Sequence, residues 1–248
     1  MKILVCMSVV PDTTTKVKFV NNTTFDKTGV QWVINPWDEL VLTRALDIKE
    51  IPGSGVESVT TMTVGLIDTE TTIRKALAIG ADRAIRVNAE AIDSYFTAAQ
   101  IAEVLKKENF DIILCGIDSA DFNASSVGGM LSEILDMPSV SSVSSLEYVN
   151  GEVKLHRELD GGSESLSAQL PILAICQKGI AKEPRIPSMR GIMTARTKPL
   201  QVYEAIQADA LVEYMEYEMP QAKSVCKKID PENVKELVRL LHNEAKLI

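Results

Sequence analysis

Residues 58–87, SVTTMTVGLIDTETTIRKALAIGADRAIRV, decide the fold class. An apolar, β-branched run over 58–64 reads as a strand and leads through Gly65 into a helix over 70–79. Gly80 stands where such a helix ends, and a short strand follows over 84–87. The alternation continues in both directions. Upstream, a strand over 3–10 ends at Pro11-Asp12, and a ribbon is expected from 17–20 and 30–34, separated by the polar stretch 21–29. Asn35-Pro36-Trp37-Asp38-Glu39 then reads as a helix start: Asn35 can accept the first free amide hydrogens, Pro36 needs no donor there, and the acids favour the positive end. That helix carries Leu40, Val41, Ala45, Leu46 and Ile48 at helical spacing and stops by Pro52-Gly53. Downstream come a helix over 93–107, a compact apolar strand over 111–115, a polar turn opened by Gly116, and a helix running to about 135. This order predicts an α/β chain with a doubly wound, mostly parallel sheet.

After Pro138 the rhythm changes. Runs over 140–149 and 152–158 flank Asn150-Gly151, a strong hairpin signal. Short strands are expected over 164–169 and 172–176. The stretch 183–200, EPRIPSMRGIMTARTKPL, breaks the pattern with Pro184, Pro187 and Pro199 among basic residues and isolated large apolar side chains. Its prolines predict an irregular segment. Either it folds back on its own core, or it is a docking loop with Met189 as anchor and cations around it. From about 202 the chain looks less globular. A final helix over 231–247 carries Val234, Leu237, Val238 and Leu241 on one face, a stripe that packs on the core or on another chain. The division expected is an α/β domain over 1–200 and a C-terminal arm and helix over 201–248.

Composition narrows the class. A net charge of −8 argues against general nucleic-acid binding, which needs a basic excess. No run has the length of a membrane-spanning helix, so no direct membrane insertion is expected. The N-terminal residues carry no secretory or transit pattern, and a cytoplasmic location is the expectation. Cys6, Cys115 and Cys176 sit in apolar runs, Cys226 stands alone, and neither Cys nor His spacing matches a metal site or a catalytic triad.

In an open parallel sheet, ligands bind beyond the carboxyl ends of the strands. Three loops leave those ends: 8–12, 65–72 and 116–126. The third, G-I-D-S-A-D-F-N-A-S-S, sets Asp118, Asp121, Asn123, Ser125 and Ser126 ahead of a helix N-terminus. Amides and hydroxyls there can hold a phosphate without lysine, although a solvated serine-rich loop has the same composition. Trp37, beside another helix start, covers a base or fills a core.

The ordered set N-P-W-D-E (Asn35 to Glu39), T-I-R-K-A-L-A-I-G-A-D-R (Thr72 to Arg83), L-C-G-I-D-S-A-D (Leu114 to Asp121), R-E-L-D-G-G-S-E-S-L (Arg157 to Leu166) and E-P-R-I-P-S-M-R-G-I-M (Glu183 to Met193) resembles the beta subunit of electron-transfer flavoprotein. The resemblance spans nearly the whole chain in the right order. It implies a Rossmann-like fold that binds an adenine nucleotide, AMP, and pairs as a heterodimer with an alpha subunit carrying FAD. It also implies electron transfer from the acyl-CoA dehydrogenases of fatty acid oxidation to a membrane quinone oxidoreductase. The family's nucleotide contacts map onto Cys6, Asn35, Pro36, Trp37, Asp38 and Val64. The rest map onto the loop Gly116, Ile117, Asp118, Ser119, Ala120, Asp121, Phe122, Asn123, Ala124, Ser125, Ser126 and Val127. The acid that clasps the mobile flavin domain falls at Glu158, beside Arg157. The apolar anchor for dehydrogenases falls at Met189, with Arg185 and Arg190 expected at its rim.

This chain departs from the family pattern at several positions. Ile117 stands where the family's loop has lysine, and Asp121-Phe122-Asn123 stand in place of a run of acids. Thr13 replaces an aromatic residue that faces the flavin in many members. Thr194 and Thr197 stand where basic residues are frequent. Val10 to Thr13 and Val127-Gly128 resemble the electron-bifurcating branch, which binds a second FAD and NADH. The D-G-G-x-E-x-L and E-P-R segments resemble the ordinary branch, and AMP is the favoured expectation. A third class, a stand-alone nucleotide sensor or ATP-cleaving enzyme, would need a phosphate-gripping glycine loop such as S-G-G-x-D-S, and the sequence has none.

Overall fold

The structure is a computed structural model and describes residues 1–149, 151–223 and 225–248. In chain order its elements are β1 (Lys2–Cys6), β2 (Val9–Pro11), β3 (Phe19–Asn21), β4 (Thr24–Phe25), β5 (Trp32–Ile34), α1 (Pro36–Glu50), β6 (Ser58–Val64), α2 (Glu70–Ile79) and β7 (Arg83–Asn88). Then follow α3 (Ser94–Leu105), β8 (Ile112–Gly116), α4 (Val127–Ile134), β9 (Ser139–Val149), β10 (Glu152–Leu159), β11 (Gly162–Ala168), β12 (Ile172–Cys176), α5 (Met189–Ala195), β13 (Leu200–Glu204) and α6 (Val234–Asn243).

Among the described residues, nine strands form one sheet in the order β11-β10-β9-β12-β8-β1-β6-β7-β13. From β9 across to β13 every neighbouring pair is parallel, and β10 is antiparallel to both β9 and β11. The period-two pleat divides each central strand between two cores. Ile3 and Val5 pack in one core with Leu42, Leu46, Ile73 and Leu77 of α1 and α2. Leu4 and Cys6 pack in the other with Ala98, Ile101 and Val104 of α3 and Leu131 of α4. Helices on both faces make the sheet doubly wound, as the alternation of the sequence predicts. Chain order reverses beside β1: β6 and β7 extend the sheet on one side, and β8, β12 and β9 extend it on the other.

Several local expectations need correction. The run 3–10 is two strands, β1 in the main sheet and β2 outside it. β2 pairs with β5, so the 30–34 run takes Val9–Pro11 as its partner, while β3 pairs with β4. The strand expected over 164–169 is part of β11, which runs from Gly162 to Ala168 and turns the hairpin into a three-stranded meander. Asn150 of the expected hairpin turn lies outside the described residues; its neighbour Gly151 has φ 89°. Gly80 ends α2 at φ 152°, as expected.

The 183–200 segment is not wholly irregular. The proline-free interval between Pro187 and Pro199 admits α5, which Ser188 caps by accepting from the Gly191 amide at 3.0 Å. α5 lies against α2 so closely that a Cβ on Gly191 would overlap the Ala78 carbonyl oxygen. The chain then returns to the sheet, because β13 pairs in parallel with β7. The last helix is shorter than expected, and its Val234, Leu237 and Val238 are exposed while Leu240 is buried. Among the described residues, no helix is long and apolar enough to cross a membrane.

Candidate functional site

The reversal of strand order beside β1 leaves a crevice between the carboxyl ends of β1 and β8, the position at which open α/β sheets hold ligands. Cys6 and Cys115 are paired there in register. The cleft holds a cavity of about 160 Å³ and opens to solvent. Cys6, Met62, Val64 and Cys115 form an apolar floor. Asp118, Ser119, Asp121, Ser125, Ser126 and Val127 line one lip.

That lip is built by two short networks. Asn35 is fully buried but makes no side-chain cap to α1, contrary to expectation. Its amide reaches across instead, donating to the Asp118 carbonyl at 2.7 Å and accepting from the Ala120 amide at 3.2 Å. Within the loop, Asp118 Oδ1 accepts from the Ser119 and Ser125 amides at 3.0 and 3.2 Å. Asn123 and Ser125 both adopt φ 49°, which winds the loop around the Asp118 carboxylate. The chain then enters α4, whose first amides have no partner inside the helix and whose Val127 and Gly128 line the cleft. Ser126, at the cap position, makes no side-chain cap.

Asp38 ties the site to the sheet. Its carboxylate accepts from the Ser8 amide at 2.7 Å and the Gly116 amide at 3.1 Å, joining the chain just past β1 to the end of β8. A Cβ at Gly116 would overlap Asp38 Oδ1, so this junction requires glycine. Burial pushes the Asp38 carboxyl up to about 7, against the pull of the amide and side-chain bonds from Ser8, Asn35 and Gly116. Hydrogen bonding with Cys6 and then burial raise the Cys115 thiol, and burial with the Asp38 charge raises Cys176. These thiols stay protonated and act as small apolar groups.

The other lip was missed in the sequence. Loop 65–72 does not line the cleft; Ala91, Ile92, Asp93, Ser94 and Thr97, at the start of α3, take its place. Asp93-Ser94 is a recognisable helix start, and the register of β6 beside β1 is what brings its neighbour's loop to the cleft. Tyr214, from the C-terminal arm, also lines it. Asn35, Pro36, Trp37, Ala120 and Asn123 lie outside the lining, and Trp37 is half-buried against Gly116. Lys, Arg and His are absent from the lining among the described residues. With carboxyl groups at Asp38, Asp93, Asp118 and Asp121 and no cation to offset them, the lining disfavours a triphosphate more than a single phosphate held by amides. No group of three or more metal-ligating side chains occurs among the described residues.

The residues expected to meet partners lie elsewhere. Met189, 77% exposed, opens α5 with Ile186 at 91% and Met193 at 73% beside it. Arg190 is exposed, but Arg185 is committed within the chain, bonding Asp47 Oδ1 at 2.6 Å and Glu50 at 2.7 Å. It therefore anchors the segment to α1. Arg74 donates to the Ala195 and Lys198 carbonyls, and Lys198 donates to Leu77 and Ala81, fastening the same segment to α2. Arg157 bonds Glu164 at 2.6 Å on β11 and leaves Glu158 exposed at the strand end.

Comparison with known proteins agrees with this architecture. Residues 22–208 match the family described as "Electron transfer flavoprotein domain". The chain is 36% identical to an electron transfer flavoprotein subunit beta of Syntrophomonas wolfei, over 94% of this chain and 91% of that protein. It is 34% identical to the subunit of the same name in Bacillus subtilis, over 89% and 90%. It is also 35% identical to the caffeyl-CoA reductase-Etf complex subunit CarD of Acetobacterium woodii, over 82% and 78%.

Proposed function

The chain belongs to the electron transfer flavoprotein family, among its beta subunits, and from that membership we propose that it holds AMP structurally and carries no catalytic group of its own. It pairs with an alpha subunit that carries FAD and passes electrons from acyl-CoA dehydrogenases to a quinone reductase. The observation that carries the nucleotide reading is the cleft at the strand-order reversal: an apolar floor for a base, and helix amides for a phosphate. Its carboxylates at Asp38, Asp93 and Asp118 are each held by backbone amides, and the Cys115 thiol is kept protonated. Nothing in that arrangement favours consumption of the nucleotide, which counts against an ATP-cleaving enzyme.

Docking to dehydrogenases is assigned to α5. Met189 supplies an adaptable apolar anchor, Arg190 a rim charge, and the bonds of Arg185, Arg74 and Lys198 hold the segment in place before contact. Glu158 holds the partner's flavin domain by an ion pair that breaks between encounters. The exposed apolar side of α6 packs on the alpha subunit.

A second reading places a further FAD and NADH in this chain. It is favoured by the Val10 to Thr13 and Val127-Gly128 segments and by the similarity to a subunit named for a caffeyl-CoA reductase complex. Co-expression with an FAD-bearing alpha subunit tests the carrier reading. The expected product is a yellow one-to-one heterodimer that passes electrons from an acyl-CoA dehydrogenase to a dye. A well-behaved monomer that binds flavin tightly by itself contradicts it.

A further inference from the structure

Aromatic residues make up only 5% of the chain, yet several of them gather in one ladder beside the cleft. Phe25 meets Phe19 edge-on at 6.5 Å, Phe19 stacks on Tyr217 at 5.0 Å, and Tyr217 stacks on Tyr214 at 6.0 Å. Tyr214 then leans on Phe122 at 5.2 Å. The ladder thus joins the β3–β4 ribbon, the C-terminal arm and the loop that forms one lip of the cleft. Phe122 occupies a loop in which sequence resemblance leads one to expect acids, and nothing in the phosphate chemistry of that loop uses a phenyl ring.

The arm is fastened at points along its length. Gln100, buried on α3, donates to the Ile206 carbonyl at 2.8 Å and accepts from the Ile206 amide at 2.9 Å. Asp93 accepts from the Leu211 and Val212 amides, and the Tyr217 amide donates to the Asn22 carbonyl at 2.6 Å. Asp93 belongs to one lip of the cleft and Phe122 to the other. Between those two fastenings the chain crosses the mouth, and Tyr214 hangs from the crossing as a lining residue.

We propose that this arm is a strap that retains the nucleotide, with Tyr214 as a binding-site wall and Gln100 as a positioning residue that holds the strap from outside the cleft. The inference rests on the nucleotide reading above. An aromatic wall adds apolar contact to a bound adenine nucleotide, and a strap fixed on both lips must open before the nucleotide leaves.

The test uses the whole heterodimer carrying labelled AMP, diluted into excess unlabelled AMP, with the release rate measured for wild type, Tyr214→Ala, Tyr214→Phe and Gln100→Ala. Tyr214 is 42% exposed, so its truncation leaves the core intact. The expected result is release about tenfold faster or more in Tyr214→Ala, equivalent to about 1.4 kcal/mol, and close to wild type in Tyr214→Phe. Gln100→Ala, which leaves the lining untouched, should also accelerate release. Wild-type release rates in both alanine variants overturn the proposal, and a rate unchanged in Gln100→Ala alone overturns the strap. If the wild-type complex contains no AMP, the nucleotide reading itself has failed, which is a separate outcome.

Discussion

Asp38→Asn tests the junction between β1 and β8 through its pH dependence. In the folded chain the carboxyl is enclosed, and burial raises its pKa from 3.8 to about 7. Between those values the folded chain keeps a proton that the unfolded chain has released. Stability therefore falls as pH rises from about 4 to about 7, by a total of about 4 kcal/mol at ~1.4 kcal/mol per unit. Asparagine cannot ionise and removes this fall. It also puts an NH₂ group opposite either the Ser8 or the Gly116 amide, and leaving a buried donor without an acceptor costs about 1–3 kcal/mol. The two effects differ in pH profile. The variant should be no more stable than wild type near pH ~4.5, and should gain on it by about 3 kcal/mol on going to pH ~7.5. In melting temperature that is a relative shift of about 6–12 °C for a chain of this size. Calorimetry of both proteins across this range measures the difference directly. A gap that stays constant with pH would refute the assignment of Asp38 as a buried, reluctantly ionised hub.

Gly116→Ala drives a Cβ into Asp38 Oδ1 and to 2.9 Å from the Trp37 Cβ; overpacking of this kind costs about 1–3 kcal/mol, and the purified complex should retain less nucleotide on chromatography. Met189→Ala should raise the apparent KM of the carrier in a dehydrogenase assay with flavin and nucleotide content unchanged, and Gly191→Ala, which forces α5 away from Ala78, should do the same; unchanged kinetics in both leave α5 as ordinary surface. Glu158→Ala should change turnover rather than KM by altering the populations of the flavin domain, and equal turnover with wild type would remove Glu158 from that role.

The fold was legible because its central signals are local. The 58–87 stretch carries its strand, helix, terminating Gly80 and next strand within one window, and the doubly wound sheet follows from repeating that unit. What was missed depends on tertiary contact. Val9–Pro11 continues the apolar run of β1, and only its pairing with β5 shows that it has left the main sheet. α5 is too short to declare itself and is held by Arg74, Lys198 and the close approach of Gly191 to α2. β13 reads as the start of a polar tail until β7 offers it an edge.

The site was legible in the same proportion. The 116–126 loop follows a buried strand and precedes a helix, so its place at the sheet's carboxyl edge could be read directly. Asn35 reads locally as the cap of α1, but its amide bridges to Asp118 and Ala120 instead. Which second loop faces 116–126 depends on strand order, and that order assigned Asp93 and Ser94 to the cleft in place of 65–72. Tyr214 comes from the arm, more than eighty residues further along the chain than the loop it touches in sequence number, and no periodicity connects the two.

The most direct test of the account is the nucleotide content of the purified heterodimer. The complex is denatured, the supernatant is separated by chromatography, and each nucleotide is quantified against protein. A structural AMP in the cleft beside Cys6 and Val127, with FAD confined to the partner, gives one AMP and one FAD per heterodimer. Two FAD and no AMP would transfer the cleft to the bifurcating reading. No adenine nucleotide beyond the partner's FAD would contradict the assignment of the cleft altogether.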